Sequence, residues 1–392
     1  MTGGKGIFKY LKVLTFTSML FLLYILCFGN LEVKREPRNP AVRSTTPRSY
    51  VSTNNGRHRV RKILVVAYQR SGSTFTSEIL QHGDTTAFFS MEPLWQTYRT
   101  CQRHVNGICC PNNTCRSPLY HKEEINNTLS VFRAIYSCNF EALSYEVLKS
   151  FATFASTGHE YVKKLKCFNN EHWKEQGFSS YYDCIENLTR LCKSSSTIII
   201  KTIRIDIRLA NMLRTLLDNL YIVHLVRDPR AILHSRTKAG TITRDSMDKQ
   251  SKALCSMMYK NFEDASQDED IYTLLYEQLA LKPQKVVKQL YKFCDLNFTT
   301  NASEWLQSFT NISWESMLQQ RFLAKHHGVF SPYPKRSFEV SRKWRKTIFV
   351  KVNEIIQNSC NAILGVLGLR VFKGVKELRN LSINVLDAMD RE

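Results

Sequence analysis

The apolar positions of the chain from residue 61 onward predict strands that alternate with helices. Runs of strand length occupy Lys62–Tyr68, Thr197–Ile205 and Leu220–Val226. Such unbroken runs are typical of strands buried on both faces of a parallel sheet. Between the second and third runs, apolar residues recur at helical spacing over 208–219: Leu209, Met212, Leu213, Leu216 and Leu217. Because a strand, a helix and a strand make a βαβ unit, the pattern predicts the α/β fold class, with a parallel sheet flanked by helices.

Two further segments, Asp270–Tyr291 and Val340–Leu367, show helical spacing of their apolar residues. The stretch Cys101–Cys192 has weaker periodicity and is rich in Cys, Asn, Tyr and charged residues. We interpret residues 101–192 as a disulfide-tied insertion above the carboxyl ends of the strands, where insertions in α/β enzymes commonly shape the substrate side. The folded domain is predicted to span residues 61–375, followed by a C-terminal tail at 376–392.

The N-terminal part of the chain has a different pattern of apolar and charged residues. Val13–Gly29 is an apolar run without a charge, at the short end of the range for a membrane-spanning helix. A cleaved signal peptide is the alternative, but Leu26–Asn30 offers a poor small-x-small cleavage site. Three lysines precede the run, so we predict a cytoplasmic tail at 1–12, an uncleaved N-terminal single transmembrane helix at 13–29, an extended stem at 30–60 and a lumenal remainder.

Sequons and cysteines fit a lumenal compartment. Eleven cysteines follow the apolar run, so up to five disulfides and one odd thiol are expected. A zinc site built from the cluster Cys101–Cys115 is the alternative; its spacing is not a pair of C-x-x-C units, and we predict no metal. Asn-x-Ser/Thr sequons, which are glycosylation acceptors in a secretory lumen, occur at Asn112, Asn126, Asn187, Asn297, Asn301, Asn311 and Asn380.

The charge balance implies an anionic partner. The 392 residues carry 55 Lys plus Arg and 34 Asp plus Glu, a formal net charge of +21. Nucleic acid, an acidic membrane face, and an anionic cofactor or glycan are the usual candidates. The compartment decides among these candidates, and in a lumen we expect no nucleic acid.

The first candidate site directly follows the first predicted strand. Gln69-Arg70-Ser71-Gly72-Ser73-Thr74-Phe75 leads into a helical segment. A loop of small hydroxylated residues between a strand and a helix directs several backbone N–H groups at one spot, which favours an anion. The lysine and the magnesium ligand of the Walker loop are absent, so hydrolysis of a nucleotide with magnesium is not expected here. An ordinary capped turn is the alternative.

The second candidate site follows the strand at Leu220–Val226. Arg227 stands at the strand end, and Pro229 is well suited to open a helix. Ser235 comes two helical turns later and can face the same cavity, so Arg227 and Ser235 together can hold a phosphate. The alternative is that Arg227 pairs with Asp228 and Pro229 merely starts the helix. Two anion sites on neighbouring βα loops of one sheet predict a nucleotide with two separated phosphate groups.

These two loops carry a resemblance to a known family. Ile63–Phe75 and Val226–Arg236 resemble the 5′-phosphosulfate loop and the 3′-phosphate loop of sulfotransferases that use 3′-phosphoadenylyl sulfate (PAPS). The closer similarity is to the Golgi carbohydrate 6-O-sulfotransferases, which act on galactose, N-acetylglucosamine or N-acetylgalactosamine. Further similar segments are Met91-Glu92-Pro93-Leu94-Trp95, Tyr276-Glu277-Gln278-Leu279-Ala280 with Gln278 where Asp is usual, and Trp344-Arg345 followed by Cys360 and Leu367-Gly368.

The resemblance implies the sulfotransferase fold and a set of site residues. Arg70 and the amides of Ser71, Gly72, Ser73, Thr74 and Phe75 would bind the 5′ side of the donor. The 3′-phosphate loop would comprise Arg227, Asp228, Pro229, Arg230, Ser235 and Arg236. Glu92 is the candidate general base, because its segment can return over the phosphate loop. His82, His224 and His234 are other bases nearby in the sequence.

We therefore expect a single-pass type II enzyme of the Golgi membrane. It would transfer sulfate from PAPS, without a metal, to a 6-hydroxyl of galactose or an N-acetylhexosamine in a keratan, chondroitin, N-linked or O-linked glycan. A lumenal ATP-dependent kinase and a non-catalytic basic glycan-binding protein are the alternatives. The acceptor sugar, the disulfide pairing and homodimer formation stay open.

Overall fold

A computed structural model of the chain describes residues 59–95 except 85, the short strands at 102–104, 107–109 and 115–116, and residues 122–154, 178–311 and 337–387. The predicted tail at 1–12, the anchor at 13–29 and the stem at 30–60 lie outside these residues, apart from residues 59 and 60 of the stem. Within the described part of the chain, no helix combines the length and the apolar character needed to cross a bilayer.

A five-stranded parallel sheet forms the centre of the fold. Its strands are β1 (Arg61–Val66), β2 (Phe88–Met91), β6 (Thr197–Thr202), β7 (Leu220–Val226) and β8 (Ile271–Leu275), in the order β2-β6-β1-β7-β8. All four pairings are parallel, and Val66 lies in register with Thr202 on one side and His224 on the other. The predicted parallel α/β sheet is confirmed, and β1 lies at its middle.

Helices cover both faces of the sheet. Ile63 and Val65 face one apolar cluster and Leu64 and Val66 face the other, as the alternation of side chains along a strand requires. The helices are α1 (Ser73–His82), α2 (Lys122–Tyr136), α3 (Tyr145–Phe154), α4 (Phe178–Lys193), α5 (Ile207–Leu216), α6 (Pro229–Lys238), α7 (Met247–Ser266), α8 (Tyr276–Leu281), α9 (Pro283–Phe293), α10 (Thr300–Thr310), α11 (Ser337–Arg342), α12 (Val350–Ser359), α13 (Asn361–Val366) and α14 (Val375–Arg379), with 3₁₀ turns at Phe140–Ala142 and Lys343–Lys346.

The segment predicted to be helical over Asp270–Tyr291 begins as a strand. Ile271–Leu275 pairs with β7 as the edge strand β8, and helix follows from Tyr276. The apolar residues of this short run fit either period, and the exposed backbone edge of β7 decides in favour of the strand. The helical pattern at the C-terminal end is likewise divided, into α11, a 3₁₀ turn, α12 and α13.

The stretch between β2 and β6 contains a second sheet and several helices. Strands β3 (Gln102–His104), β4 (Gly107–Cys109) and β5 (Cys115–Arg116) form an antiparallel sheet that the hydrophobic pattern did not predict. Cys138 and Cys192 form a disulfide that joins the ends of α2 and α4, and Cys184 is also disulfide-bonded.

Near the C-terminus, a second described disulfide joins Cys255 on α7 to Cys360 after α12. Cys294 is a buried free thiol. Packing continues past residue 375, because Leu378 and Leu386 belong to the core and Leu386 pairs with Leu369.

Candidate active site

The loop after β1 closes as a tight turn. The Ser71 N–H donates to the Tyr68 carbonyl at 3.0 Å, and the Tyr68 N–H donates to Ser71 Oγ at 3.3 Å. Arg70 has φ of +72° and Gly72 has φ of +96°. The left-handed region costs a non-glycine residue about 1–2 kcal/mol, and such strain clusters at binding sites. The turn therefore holds Arg70 in a backbone conformation that the surrounding contacts impose.

Helix α1 begins directly after this turn. Its first backbone hydrogen bond runs from Thr76 N to Gly72 O at 3.1 Å. The amides of Ser73, Thr74 and Phe75 are therefore the first-turn donors for which an α-helix has no internal acceptor. The Phe75 ring itself stacks on Phe309 of α10, with ring centroids 5.3 Å apart. Phe75 can thus contribute its amide to an anion, while its side chain anchors the helix.

Arg70 connects the two predicted phosphate loops. Its Nε donates to Ser235 Oγ on α6 at 3.0 Å, and its carbonyl accepts from Arg227 Nη1 at 3.0 Å. Burial, and then the nearby Arg227 charge, lower the pKa of Arg70. Two guanidinium groups held this close favour an anion, because a bound negative charge relieves their repulsion. Arg70 therefore links Arg227 and Ser235, the two residues predicted to hold one phosphate.

Arg227 is 9% exposed, and its buried Nε has no hydrogen-bond partner among the described residues. Its guanidinium carbon lies 4.4 Å from the centroid of the Tyr276 ring. The same ring closes the loop from the other side, because a Cβ added at Gly72 would lie 2.5 Å from two of its carbons. A buried donor without a partner, in a loop that has no room for a side chain at Gly72, fits a phosphate group.

Asp228, Pro229 and Arg230 build the turn behind this site. Pro229 opens α6, as predicted, and Asp228 caps it by accepting from Arg230 N. The Asp228 carboxylate pairs with the Arg230 guanidinium, and both side chains are 0% exposed. Arg230 also donates to Gln357 Oε1 and to the Arg370 carbonyl. The Arg230 guanidinium is thus fully bonded within the fold. This geometry does not support the expectation that Arg230 adds charge at the phosphate. Asp228 pairs with Arg230 and not with Arg227.

Arg236 lies on the other flank of the loop. Its Nε donates to the Gln69 carbonyl at 3.2 Å. Burial lowers the pKa of Arg236 to about 10, so the side chain stays cationic at neutral pH. Arg236 therefore adds positive charge beside Arg70.

Glu92 follows β2 and has φ of +52°. Lys201 Nζ donates to Glu92 Oε1 at 2.9 Å, and Arg204 Nη1 donates to Glu92 Oε2. The carboxylate is 3% exposed, and Arg204 also stacks on the Trp95 ring with its guanidinium carbon 4.6 Å from the centroid. Each carboxylate oxygen keeps a further lone pair beyond these bonds, so the group can still accept a hydroxyl proton.

The sheet order places the Glu92 centre beside the phosphate loop. Glu92 follows β2, Lys201 lies on β6, and the Arg70 loop follows β1; these strands are neighbours in that order. Lys201 is in register with Val65 of β1 and Met91 of β2. Since adjacent strands lie about 5 Å apart, the two centres are separated by roughly 10 Å across the carboxyl edge, where ligands of α/β sheets bind.

The histidines near these motifs have structural hydrogen bonds. His224 Nε2 and the Tyr68 hydroxyl are 2.9 Å apart, and Asn261 Nδ2 donates to the same hydroxyl at 2.9 Å. Burial lowers the pKa of His224 to about 3, so it is neutral at physiological pH. His234 Nε2 lies 2.9 Å from Thr347 Oγ1, and His82 stacks on Trp305.

Sequence reasoning gave no role to four residues of this region. Lys201 and Arg204 interrupt the apolar run Thr197–Ile205. Because a charged side chain is rare inside a buried strand, Lys201 could have been recognised from the sequence as a candidate site residue. Tyr276 and Glu277 stood in a segment noted for its resemblance, but their contacts with Gly72, Arg227 and Asp228 depend on the pairing of β8 with β7.

The chain is similar in sequence to known proteins over most of its length. Residues 60–373 match the family described as Sulfotransferase domain. The chain belongs to the sulfotransferase family. Carbohydrate sulfotransferase 1 of Mus musculus is 25% identical to it over 377 residues, with 84% of each chain covered. Carbohydrate sulfotransferase 5 of Mus musculus is 27% identical over 366 residues, covering 83% of this chain and 84% of the relative.

Among solved structures, the sulfotransferase domain from the Synechococcus PCC 7002 olefin synthase is 16% identical, covers 78% of this chain and 94% of its own, and has a TM-score of 0.41. The family predicted from the two phosphate loops is confirmed by the match over residues 60–373 and by the carbohydrate sulfotransferase relatives. This sulfotransferase is therefore an enzyme, and the two predicted phosphate loops lie at the carboxyl edge of the sheet.

Proposed function

We propose that this sulfotransferase transfers the sulfuryl group of PAPS to the 6-hydroxyl of a galactose or N-acetylhexosamine in a glycan. One observation carries the donor assignment: Arg70 joins Arg227 and Ser235 around a loop where Arg227 Nε is buried without a described partner. The names of the relatives support a carbohydrate acceptor.

The residues present fit a nucleotide with two phosphate groups. The amides of residues 71–75 and Arg70 would face the 5′-phosphosulfate, and Arg227 and Ser235 would hold the 3′-phosphate. The left-handed Gly72, pressed against Tyr276, brings the backbone close to the ligand. Arg236 adds further positive charge.

The reaction requires alignment and charge stabilisation. The acceptor oxygen bonds to sulfur while the bond between sulfur and the bridging phosphate oxygen breaks, and adenosine 3′,5′-bisphosphate (PAP) leaves. Arg70 and the α1 amides stabilise the negative charge on the leaving phosphate. Glu92 accepts the hydroxyl proton, and Lys201 and Arg204 hold its carboxylate in position.

The location in the cell belongs to the same proposal. Val13–Gly29 would anchor the enzyme in the Golgi membrane with residues 61–375 in the lumen, where glycan acceptors are found. The sequon asparagines within the described residues are all exposed, which supports their use as glycosylation sites: Asn126, Asn187, Asn297, Asn301, Asn311 and Asn380.

A comparison of two nucleotides tests the donor site. Arg227→Ala should weaken PAP binding by about ten- to a hundredfold, since a buried charge-assisted hydrogen bond contributes about 1.5–3 kcal/mol. Ser235→Ala should weaken it less. Both variants should leave the affinity for adenosine 5′-phosphate nearly unchanged, because that nucleotide lacks the 3′-phosphate. Arg190→Ala on the exposed face of α4 is the control. Equal weakening of both nucleotides by Arg227→Ala would refute the 3′-phosphate assignment.

Glu92→Gln tests the general base. Turnover should fall by about a hundredfold or more while the affinity for PAP stays near that of the wild type. Because the change also leaves two buried cations with a weaker partner, thermal unfolding must be measured alongside, with exposed Glu186→Gln as control. Near-normal turnover in a folded Glu92→Gln enzyme places the base elsewhere.

A panel of glycans tests the acceptor. Radiolabelled PAPS offered with desulfated keratan, chondroitin and heparan chains should label a 6-position of galactose or a hexosamine, as read by disaccharide analysis. Label confined to tyrosine or to a 2-hydroxyl contradicts the proposal.

The membrane anchor has its own test. The mature protein should keep its original N-terminus, resist carbonate extraction and migrate faster after N-glycosidase treatment. A soluble product that begins near residue 30 contradicts the anchor.

A further inference from the structure

Glu277 is a buried carboxyl group at the back of the proposed 3′-phosphate site. It is 5% exposed, and its Oε1 accepts from the backbone N–H of Asp228 at 3.1 Å. The preceding residue, Tyr276, holds the Arg227 guanidinium against its ring. Glu277 thus fixes the Arg227–Asp228 turn from one side while Tyr276 supports it from the other.

The second oxygen of Glu277 is unsatisfied. Oε2 is buried and has no hydrogen-bond partner among the described residues. Glu277 borders a cavity of about 30 Å³ between α8 and the C-terminal segment, whose lining includes Arg342, Arg345 and Val385. A cavity of this size has room for about one or two water molecules beside the Glu277 side chain.

Most charged groups around Glu277 already have hydrogen-bond or ion-pair partners within the fold. Arg345 donates to the carbonyls of Leu378 and Ile383 and to two others, and Arg342 donates to the Leu381 carbonyl. The Asp228 carboxylate is paired with Arg230. Arg227 is the facing cation whose charge balance an arriving phosphate would change.

These surroundings raise the pKa of Glu277 towards neutral pH. Burial, and then the Asp228 charge, raise the pKa of Glu277 to about 7, although Arg227 opposes them. The Arg227 charge is therefore part of what keeps the carboxylate ionised in the absence of a ligand.

We propose that donor binding at Arg227 is coupled to protonation of Glu277 at Oε2. The coupling rests on the proposed function, because it requires a phosphate at Arg227. The phosphate offsets the guanidinium charge and adds a negative potential, so the ionised form of Glu277 becomes less favourable and a solvent proton binds to Oε2. Oε1 continues to accept from Asp228 N, and the turn keeps its shape.

The direction of the pH dependence follows from linkage. Since binding raises the pKa of Glu277 above its free value of about 7, the gain in affinity is complete below that value and is lost as pH rises through the bound value. If the rise is about one unit, the affinity for PAP should fall by up to about tenfold from pH 6 to pH 9. The second ionisation of a phosphate, near about 6, acts in the opposite direction and belongs to the acid end of this range.

Calorimetry of the full-length chain with PAP tests the coupling. Titrations at pH 7.5 in two buffers of different ionisation enthalpy give the number of protons taken up. The wild type should take up about half a proton, as expected for a pKa that rises by about one unit from 7. Glu277→Gln should bind PAP with no uptake and with a flatter affinity profile between pH 7 and pH 9. Exposed Glu354→Gln should behave as the wild type.

Glu78 on α1 is the competing carboxyl group, because burial raises its pKa to about 7 as well. Loss of the uptake in Glu78→Gln with retention in Glu277→Gln overturns the proposal. So does PAP binding to the wild type without uptake, a result that leaves the proposed function intact. Failure of the wild type to bind PAP instead refutes the proposed function. If Glu277→Gln does not fold, infrared difference spectra of the wild type decide: a protonated carboxyl band must appear with PAP, and its absence overturns the proposal.

Discussion

The guanidinium group of Arg227 lies against the face of Tyr276, with its carbon 4.4 Å from the ring centroid. The ring belongs to the residue that follows the edge strand β8, and Arg227 follows the neighbouring strand β7. Since the same ring limits the space at Gly72, one side chain contacts both of the proposed phosphate loops.

Tyr276→Leu should weaken PAP binding by about 2- to 30-fold, because a cation–π contact contributes about 0.5–2 kcal/mol and orients the guanidinium. Tyr276→Phe keeps the ring and should bind PAP nearly as well as the wild type. The measurement is the dissociation constant for PAP. Equal losses in the two variants would show that the hydroxyl, and not the ring face, matters.

Gly72→Ala should abolish donor binding and lower the melting temperature. Its Cβ would overlap the Tyr276 ring at 2.5 Å, in addition to the left-handed backbone at φ of +96°. Gly240→Ala is the matched control, since Gly240 has φ of +69° and open space at the Cβ position. The control should lose about 1–2 kcal/mol of stability from the backbone alone and keep PAP affinity. If both variants bind PAP equally well, the Tyr276 ring moves aside for a Cβ at position 72 and the loop does not require glycine there.

Tyr68→Phe should weaken both stability and donor affinity. The lost hydroxyl leaves His224 Nε2 and Asn261 Nδ2 without their shared partner, which costs about 1–3 kcal/mol. Tyr68 also closes the turn with Ser71, so its displacement should be transmitted to the phosphate loop. Tyr136→Phe removes a buried hydroxyl that donates to Ile63 O, away from that turn. The control should lose stability but keep PAP affinity, and a similar loss of affinity in both would show a general effect of packing.

His224→Gln should flatten the acid side of the stability profile. Because burial lowers the pKa of His224 to about 3, the unfolded chain binds a proton that the native state does not, so stability falls as pH drops from about 6.5 towards 3. One such group contributes a slope of about 1.4 kcal/mol per pH unit. Urea unfolding at pH 6 and pH 5 should show a slope smaller by about that amount in the variant. An unchanged slope means that His224 is protonated in the native state.

The amino-acid sequence alone determined the central strands of the sheet and the loops that follow β1 and β7. Ile63–Val66, Ile198–Ile200 and Leu220–Val226 are apolar without interruption or nearly so, which favours burial on both faces in any context. Gly72 between two serines and Pro229 after Asp228 impose local geometry through their own backbone preferences. Those features are encoded over a few neighbouring residues, so the sequence by itself predicts the parallel sheet and the two proposed phosphate loops.

Tertiary structure decided the parts that depend on partners distant in the chain. Ile271–Leu275 became a strand because β7 offered an unpaired edge, and that pairing brought Tyr276 and Glu277 to the phosphate loops. The different roles of Arg227 and Arg230 also depend on residues that are distant in the chain. Arg227 and Arg230 are separated by only Asp228 and Pro229, yet they differ because Asp228, Gln357 and the carbonyl of residue 370 enclose only Arg230. A charged side chain acts according to the groups that neutralise it, and those groups are brought together only by the fold.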